Sequence, residues 1–425
     1  MSNPFTLSTE AIVLADIAIV LLAGAALVPL ARRLGQPPVI AEVTAGIILG
    51  PSLLGLLPGD LPGHLFPPEA RPVLSAVAQI GLVLFMFLAG WDMDPRHLRG
   101  RGPALTSLAA AAVLTPFALG AGAAMTLHGN FGPQHTDRTA FVLYLATAFS
   151  ITAFPVLARI LTDQGLADTR VGHLAMACAA LGDVAAWCVL ALPVAMAGTG
   201  ESTHAVTVLA LTGVFVAVVA LLVRPLLARC IRDTSGPALP AAISAAVLLT
   251  SVATTAIGVH AIFGAFALGL AMPRDSRPAL RARVAVPLEH AARILLPVYF
   301  VTTGLSVDIN SLRANGYMVL LLVVSVAVIG KFAGAALGAR LWAMPWREAG
   351  AFGVLMNARG LTELMVLGIG RDLGLISPQL FTVMVLMALI TTAMTGPLLH
   401  RVFAAPSPHS PPAPAEATRP APVRD

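Results

Sequence analysis

The stretch TAFVLYLATAFSITAFPVLARIL (139–161) decides the fold. It is long and apolar enough to cross a bilayer, which takes roughly 20 residues of helix. It cannot be one regular helix. Pro155 sits past its middle and has no N–H to give to the helical ladder. Ser150 and Thr152 precede it, with hydroxyls able to satisfy backbone groups that a break sets free. A second stretch, AFGVLMNARGLTELMVLGIG (351–370), repeats the pattern, with Asn357, Arg359 and Gly360 interrupting it near its centre. Two apolar spans broken at matching depth predict half-helices that meet inside a membrane. Such breaks are tolerated only where the freed backbone is buried in protein or lines a cavity.

The rest of the chain agrees. Of its 425 residues 57% are hydrophobic and 11% charged, against roughly 25% charged in ordinary soluble chains. That excludes a disordered chain, a secreted disulfide scaffold and a cytosolic enzyme. Thirteen apolar segments are expected to span: 12–30, 38–57, 72–91, 104–127, 139–161, 171–198, 206–228, 239–257, 259–272, 287–306, 316–340, 348–370 and 377–400. The ninth is short and reads as a half-span or tilted helix. The first is too long for a cleaved signal and no basic residue precedes it. Cys178, Cys188 and Cys230 have no metal-ligand spacing and read as packing residues. Of 26 basic residues, nineteen fall in connections or at the span ends adjoining them on one side and four on the other. The positive-inside rule then places the N-terminus outside and the C-terminus in the cytoplasm of a cell (inner) membrane. The membrane part is expected over 1–403, and the Pro- and Ala-rich 404–425 as a disordered tail.

Ionisable groups inside spans are costly and mark function. Asp16 lies near the outer end of the first segment, where it is expected to reach water. Glu42 lies at the cytoplasmic start of the second, either as a structural residue or lining a funnel. Asp183 sits at the centre of 171–198, beyond the reach of either interface. Gly172, Ala175, Ala179, Gly182 and Ala186 form a stripe of small residues around it, which lets a neighbouring helix approach. A carboxyl there stays protonated, tying helices together, or finds a cation. Lys331 is the only lysine among the 26 basic residues, and lies beside the ladder Gly330, Gly334, Gly338. Arginine does not lose its proton in practice and lysine can. Lys331 is therefore either a counter-charge or a titratable group. Arg359 and Glu363 are four residues apart and read as a supporting pair.

Segments one to six and eight to thirteen form two six-helix halves, with 206–228 as the linker. Halves of six spans separated by one more enter the membrane from opposite sides, as in transporters built from inverted repeats.

PPVIAEVTAGIILGPSLLG (37–55), LFMFLAGWDMD (84–94), ATAFSITAFPVLARIL (146–161), LGDVAAW (181–187), HAIFGAFALGLAMP (260–273), LPVYFVTTGLSVDI (296–309), GKFAGA (330–335) and MNARGLTELMVLGIG (356–370) together resemble the cation:proton antiporter superfamily, in the branch of bacterial cation/proton exchangers and plant cation/H+ exchangers. The resemblance implies a homodimer with a dimerisation part (about 12–91 and 239–306) and a mobile core (about 104–198 and 316–400). It also implies ion binding at Asp183 helped by Ser150 and Thr152. Members usually carry an acid or amide just before this aspartate, and in members with two acids the first pairs with the lysine that Lys331 matches. Here that position is Gly182, so Lys331 lacks its usual partner.

The expected activity is exchange of Na+ or K+ for H+ by alternating access, with cation and proton competing for Asp183. Asn357, Arg359 and Glu363 would support the core. No cofactor is expected besides the transported ions, and no nucleotide or nucleic-acid motif is found. Potassium efflux and sodium-coupled symport of an organic solute are alternatives. An intramembrane aspartyl protease is not, because Ala180–Leu181–Gly182–Asp183 lacks the first glycine of a GxGD motif.

Overall fold

The computed structural model describes residues 8–92, 103–133, 136–166, 169–197, 202–233, 238–273 and 277–402. Within them every regular element is helical. The expected tail, 404–425, lies outside the described residues. In chain order the helices are α1 (Thr9–Arg33), α2 (Pro38–Leu49), α3 (Leu61–Leu65), α4 (Arg71–Asp92), α5 (Pro103–Phe131), α6 (Arg138–Ser150), α7 (Phe154–Asp163), α8 (Arg170–Met196) and α9 (Ser202–Val218). They continue as α10 (Arg224–Asp233), α11 (Leu239–Ile257), α12 (Ala261–Ala271), α13 (Arg277–Leu280), α14 (Val286–Leu305), α15 (Ala314–Leu341), α16 (Trp346–Met356), α17 (Leu361–Asp372) and α18 (Pro378–Val402).

Eleven of the described helical runs are long and apolar enough to cross a membrane. The expectation of thirteen spans goes beyond that number. Segment 139–161 is divided between α6 and α7, of 13 and 10 residues, each too short to cross alone. Segment 259–272 is the 11-residue α12.

The helices pack as two groups. In the first, α4 lies against both α12 and α14, and α14 against α2. In the second, α5 lies against α6, α8 and α15, and α16 and α18 close on α15. Glycines decide how near the helices come in the first group. A Cβ on Gly46 of α2 would meet the Val301 carbonyl oxygen of α14 at 2.1 Å, and one on Gly269 of α12 would meet that of Phe87 on α4 at 2.1 Å. Under the inverted repeat expected from the sequence the second segment corresponds to the ninth and the third to the tenth, and that correspondence pairs the α2–α14 contact with the α12–α4 contact.

Asp16 corrects one expectation. It is 1% exposed and does not reach water. Val13 and Val20, three residues before and four after, are buried on the same helical face. That face points into the protein, which a sequence without azimuthal information cannot tell.

Candidate functional site

The two expected breaks occur where the punctuating residues stand. Helix α6 stops at Ser150, Ile151 and Ala153 are extended, and α7 restarts at Phe154 with Pro155 in its first turn. Proline there costs no hydrogen bond, because the first-turn N–H groups have no helical partner. Helix α16 stops at Met356 and α17 restarts at Leu361 after Gly360, whose φ of 153° favours glycine. A Cβ on Gly360 would also come within 2.8 Å of the Val156 side chain, which would have to shift.

Broken helices leave backbone groups that must be satisfied within the protein. Each break serves the other. The Ala153 N–H donates to the Ala358 carbonyl at 3.1 Å, and the Thr152 hydroxyl donates to the Met356 carbonyl at 3.0 Å. In return the Arg359 guanidinium donates to the Ala148 and Phe149 carbonyls at the end of α6, at 3.1 and 2.8 Å. Arg359 also pairs with Glu363 at 2.9 Å, both side chains 0% exposed. Asn357 is buried beside them, its carbonyl oxygen without a hydrogen-bond partner among the described residues.

Lys331 closes the other side of the α6 terminus. Its ammonium donates to the Ser150 carbonyl and, at 2.6 Å, to the Thr152 hydroxyl. It also reaches the Ala112 carbonyl of α5 at 3.4 Å. That carbonyl is free for a reason written in the sequence. Its helical partner would be the N–H four residues on, which is Pro116. The Gly330–Gly334–Gly338 ladder brings α15 close enough: a Cβ on Gly334 would meet the Ala111 carbonyl at 2.8 Å. Lys331 and Asp183 form no ion pair among the described residues, so the lysine's partners are backbone and hydroxyl oxygens.

Asp183 lies halfway along α8, 5% exposed. One carboxylate oxygen accepts from the Phe154 N–H at 3.4 Å, at the N-terminus of α7. The positive end of that half-helix favours negative charge. The other oxygen has no partner among the described residues. Asp183 lines a cavity of about 410 Å³ with Phe154, Trp187, Thr362 and Met365 on one wall and Phe85, Leu296 and their neighbours on α4 and α14 on the other. Asp92, Glu289 and Arg293 also line it, at the ends of α4 and α14, with Arg281 bridging Asp92 at 2.5 Å and Glu289 at 3.5 Å. A second cavity, of about 220 Å³, opens toward Arg71, His260 and Asp372 at the opposite end of α4. Met365 lines both.

A carboxylate with an unused oxygen in a cavity whose other charged groups lie at the ends of α4 and α14 can take a proton or a small cation. Ser150 and Thr152, which the resemblance implies as helping ion binding, are hydrogen-bonded within the α6 break. The Ser150 hydroxyl donates to the Thr147 carbonyl at 2.7 Å, and neither residue lines the cavity. Glu42 lines neither cavity; its side chain lies 3.7 Å from where a Cβ on Gly24 of α1 would stand. Thr362, Asp92 and Glu289 were not singled out from the sequence. A charge near the start of 287–306 was a usable signal for Glu289, and Asp92 sits in the quoted 84–94 stretch.

Residues 17–405 match the sodium/hydrogen exchanger transmembrane family. The chain belongs to that family. It is 37% identical over 408 residues to Na(+)/H(+) antiporter NhaS4 of Synechocystis, covering 94% of this chain and 99% of that one. It is 39% identical to Cation/H(+) antiporter 18 of Arabidopsis thaliana and 32% identical to K(+)/H(+) antiporter 1 of Saccharomyces cerevisiae, but spans only 50% and 43% of their lengths. The fold matches the sodium proton antiporter MjNhaP1 of Methanocaldococcus jannaschii with a TM-score of 0.63 at 16% identity, over 93% of this chain and 98% of that one. The exchanger is thus a multi-pass helical membrane protein with the antiporter architecture.

Proposed function

We propose that this chain is a secondary antiporter that exchanges a monovalent cation, Na+ or K+, for H+ across the membrane. One observation carries the reading. Asp183 holds a single backbone hydrogen bond, keeps its second oxygen free, and faces a cavity that reaches the protein's end. Proton and cation compete for that carboxylate, so whichever leaves on one side is replaced by the other. A pH gradient then drives the cation the opposite way without ATP. The names of the Synechocystis, Arabidopsis and yeast relatives support this chemistry.

The two packed groups suit a stationary part (α1, α2, α4, α11, α12, α14) and a moving core that carries Asp183, with both cavities lying along their boundary. Homodimerisation through the stationary part, an external N-terminus and a cytoplasmic C-terminus complete the proposal. The cavity of Asp183 then faces the cytoplasm. Lys331 is held by α5 and the α6 terminus rather than by Asp183, and Glu363 by Arg359. With Asp92 and Glu289 bridged by Arg281, Asp183 is the carboxyl of this cavity left to exchange, which gives one proton per cation.

Proteoliposomes with an internal pH dye test this. Addition of Na+ or K+ is expected to move protons in the opposite direction, at a rate that clamping the membrane voltage leaves unchanged. Absence of cation-driven proton movement with Na+, K+ and Li+ alike overturns the assignment, and voltage-dependent exchange overturns the stoichiometry.

A further inference from the structure

Thr362 stands out among the buried threonines. Thr147, Thr254, Thr303, Thr391 and Thr395 each return the hydroxyl to a carbonyl three or four residues back in their own helix. Thr152 and Thr392 donate to carbonyls across the breaks, and Thr382 accepts from the Asp308 N–H. Thr362 makes neither kind of bond: α17 begins only at Leu361, so the residues three and four back, Arg359 and Ala358, lie in the break, and their carbonyls accept from the Thr392 hydroxyl and the Ala153 N–H. The Thr362 hydroxyl has no hydrogen-bond partner among the described residues, although the residue is only 4% exposed.

The Thr362 oxygen is not among the sealed, unpartnered polar atoms, so it is open to the space it faces. Thr362 lines the same cavity as Asp183. Away from Asp92, Glu289 and Arg293, the remaining lining side chains are Phe85, Met86, Leu88, Trp187, Phe266 and others equally apolar. Two oxygen-bearing side chains therefore face that greasy space, one charged and one neutral. They come from opposite half-repeats, Asp183 on α8 and Thr362 in the first turn of α17.

We propose that the Thr362 hydroxyl is a ligand of the transported cation, sharing it with the free oxygen of Asp183. This rests on the antiport reading above. The chemistry gives the threonine a distinct job. A proton on Asp183 needs only the carboxylate. A desolvated alkali cation needs several oxygens to replace its water shell, and a neutral one adds to its binding alone. Thr362 thus sets the balance of the competition in favour of the cation.

Thr362→Val and Thr362→Ser in reconstituted wild-type background test the assignment, with cation KM read at several pH values. Val keeps the shape and removes the oxygen, while Ser keeps the oxygen. Thr362→Val is expected to raise the KM for the cation about tenfold or more. The pH at which KM begins to climb stays as in wild type, because the proton site is untouched. Thr362→Ser is expected to restore KM to within about threefold. A Val variant with wild-type KM, or one whose elevated KM is not recovered by Ser, overturns the ligand role. A wild-type protein that exchanges nothing would instead fail the antiport reading, and the two failures are told apart by the wild-type control.

Discussion

Asp183→Asn is expected to reduce cation-driven proton movement by on the order of 10²–10³-fold, with the protein still folded. Asparagine keeps the shape and the acceptor for the Phe154 N–H, so α7 retains its cap. What it lacks is charge and an exchangeable proton. A cation in the cavity then has no counter-charge at its floor, and leaving one member of a buried ion pair alone costs about 3–5 kcal/mol. Each 1.4 kcal/mol is about tenfold in affinity, which gives the expected loss. Size-exclusion behaviour in detergent should match wild type. Near-normal exchange by this variant removes Asp183 from the transport cycle.

Arg359→Ala is expected to act on the fold. Arg359 caps the end of α6 through Ala148 and Phe149 and neutralises Glu363, all without exposure. Alanine leaves two carbonyls and a carboxylate buried and unpartnered. Breaking a buried pair from one side costs about 3–5 kcal/mol, so the thermal transition of the purified variant should fall and its yield with it. Arg359→Lys is expected to rescue little, since a single ammonium cannot reproduce the forked contacts to three oxygens. The double variant Arg359→Ala/Glu363→Ala should be more stable than Arg359→Ala, because the orphaned carboxylate is gone. A thermal transition unchanged in Arg359→Ala contradicts the capping role.

Much of this architecture is legible in the sequence because the membrane makes exceptions conspicuous. Pro155 and Gly360 mark breaks, since each restricts or frees the backbone regardless of context. Asp183 and Lys331 stand out because a charge has no ordinary reason to sit in an apolar span. What is not legible is which atoms these groups meet. Pro116 frees the Ala112 carbonyl, yet nothing local says that Lys331, on another helix 219 residues away, will take it. Asp16 was expected in water and is buried, because hydropathy gives depth along a helix and not the direction a side chain points. The resemblance implies Ser150 and Thr152 at the ion; they adjoin the break, and there both meet Lys331. Thr362 was invisible because its distinction lies in a hydroxyl without a partner among the described residues and in a cavity shared with a residue of another helix.

The competition at Asp183 is tested most directly by measuring the cation KM of the wild-type protein across pH in proteoliposomes at clamped voltage. If proton and cation exclude each other from one carboxylate, KM is constant at alkaline pH and climbs toward about tenfold per pH unit on the acid side, while the maximal rate at saturating cation holds. A KM that ignores pH across that range, with protons still exchanged, means that the two ions occupy separate sites and contradicts the account.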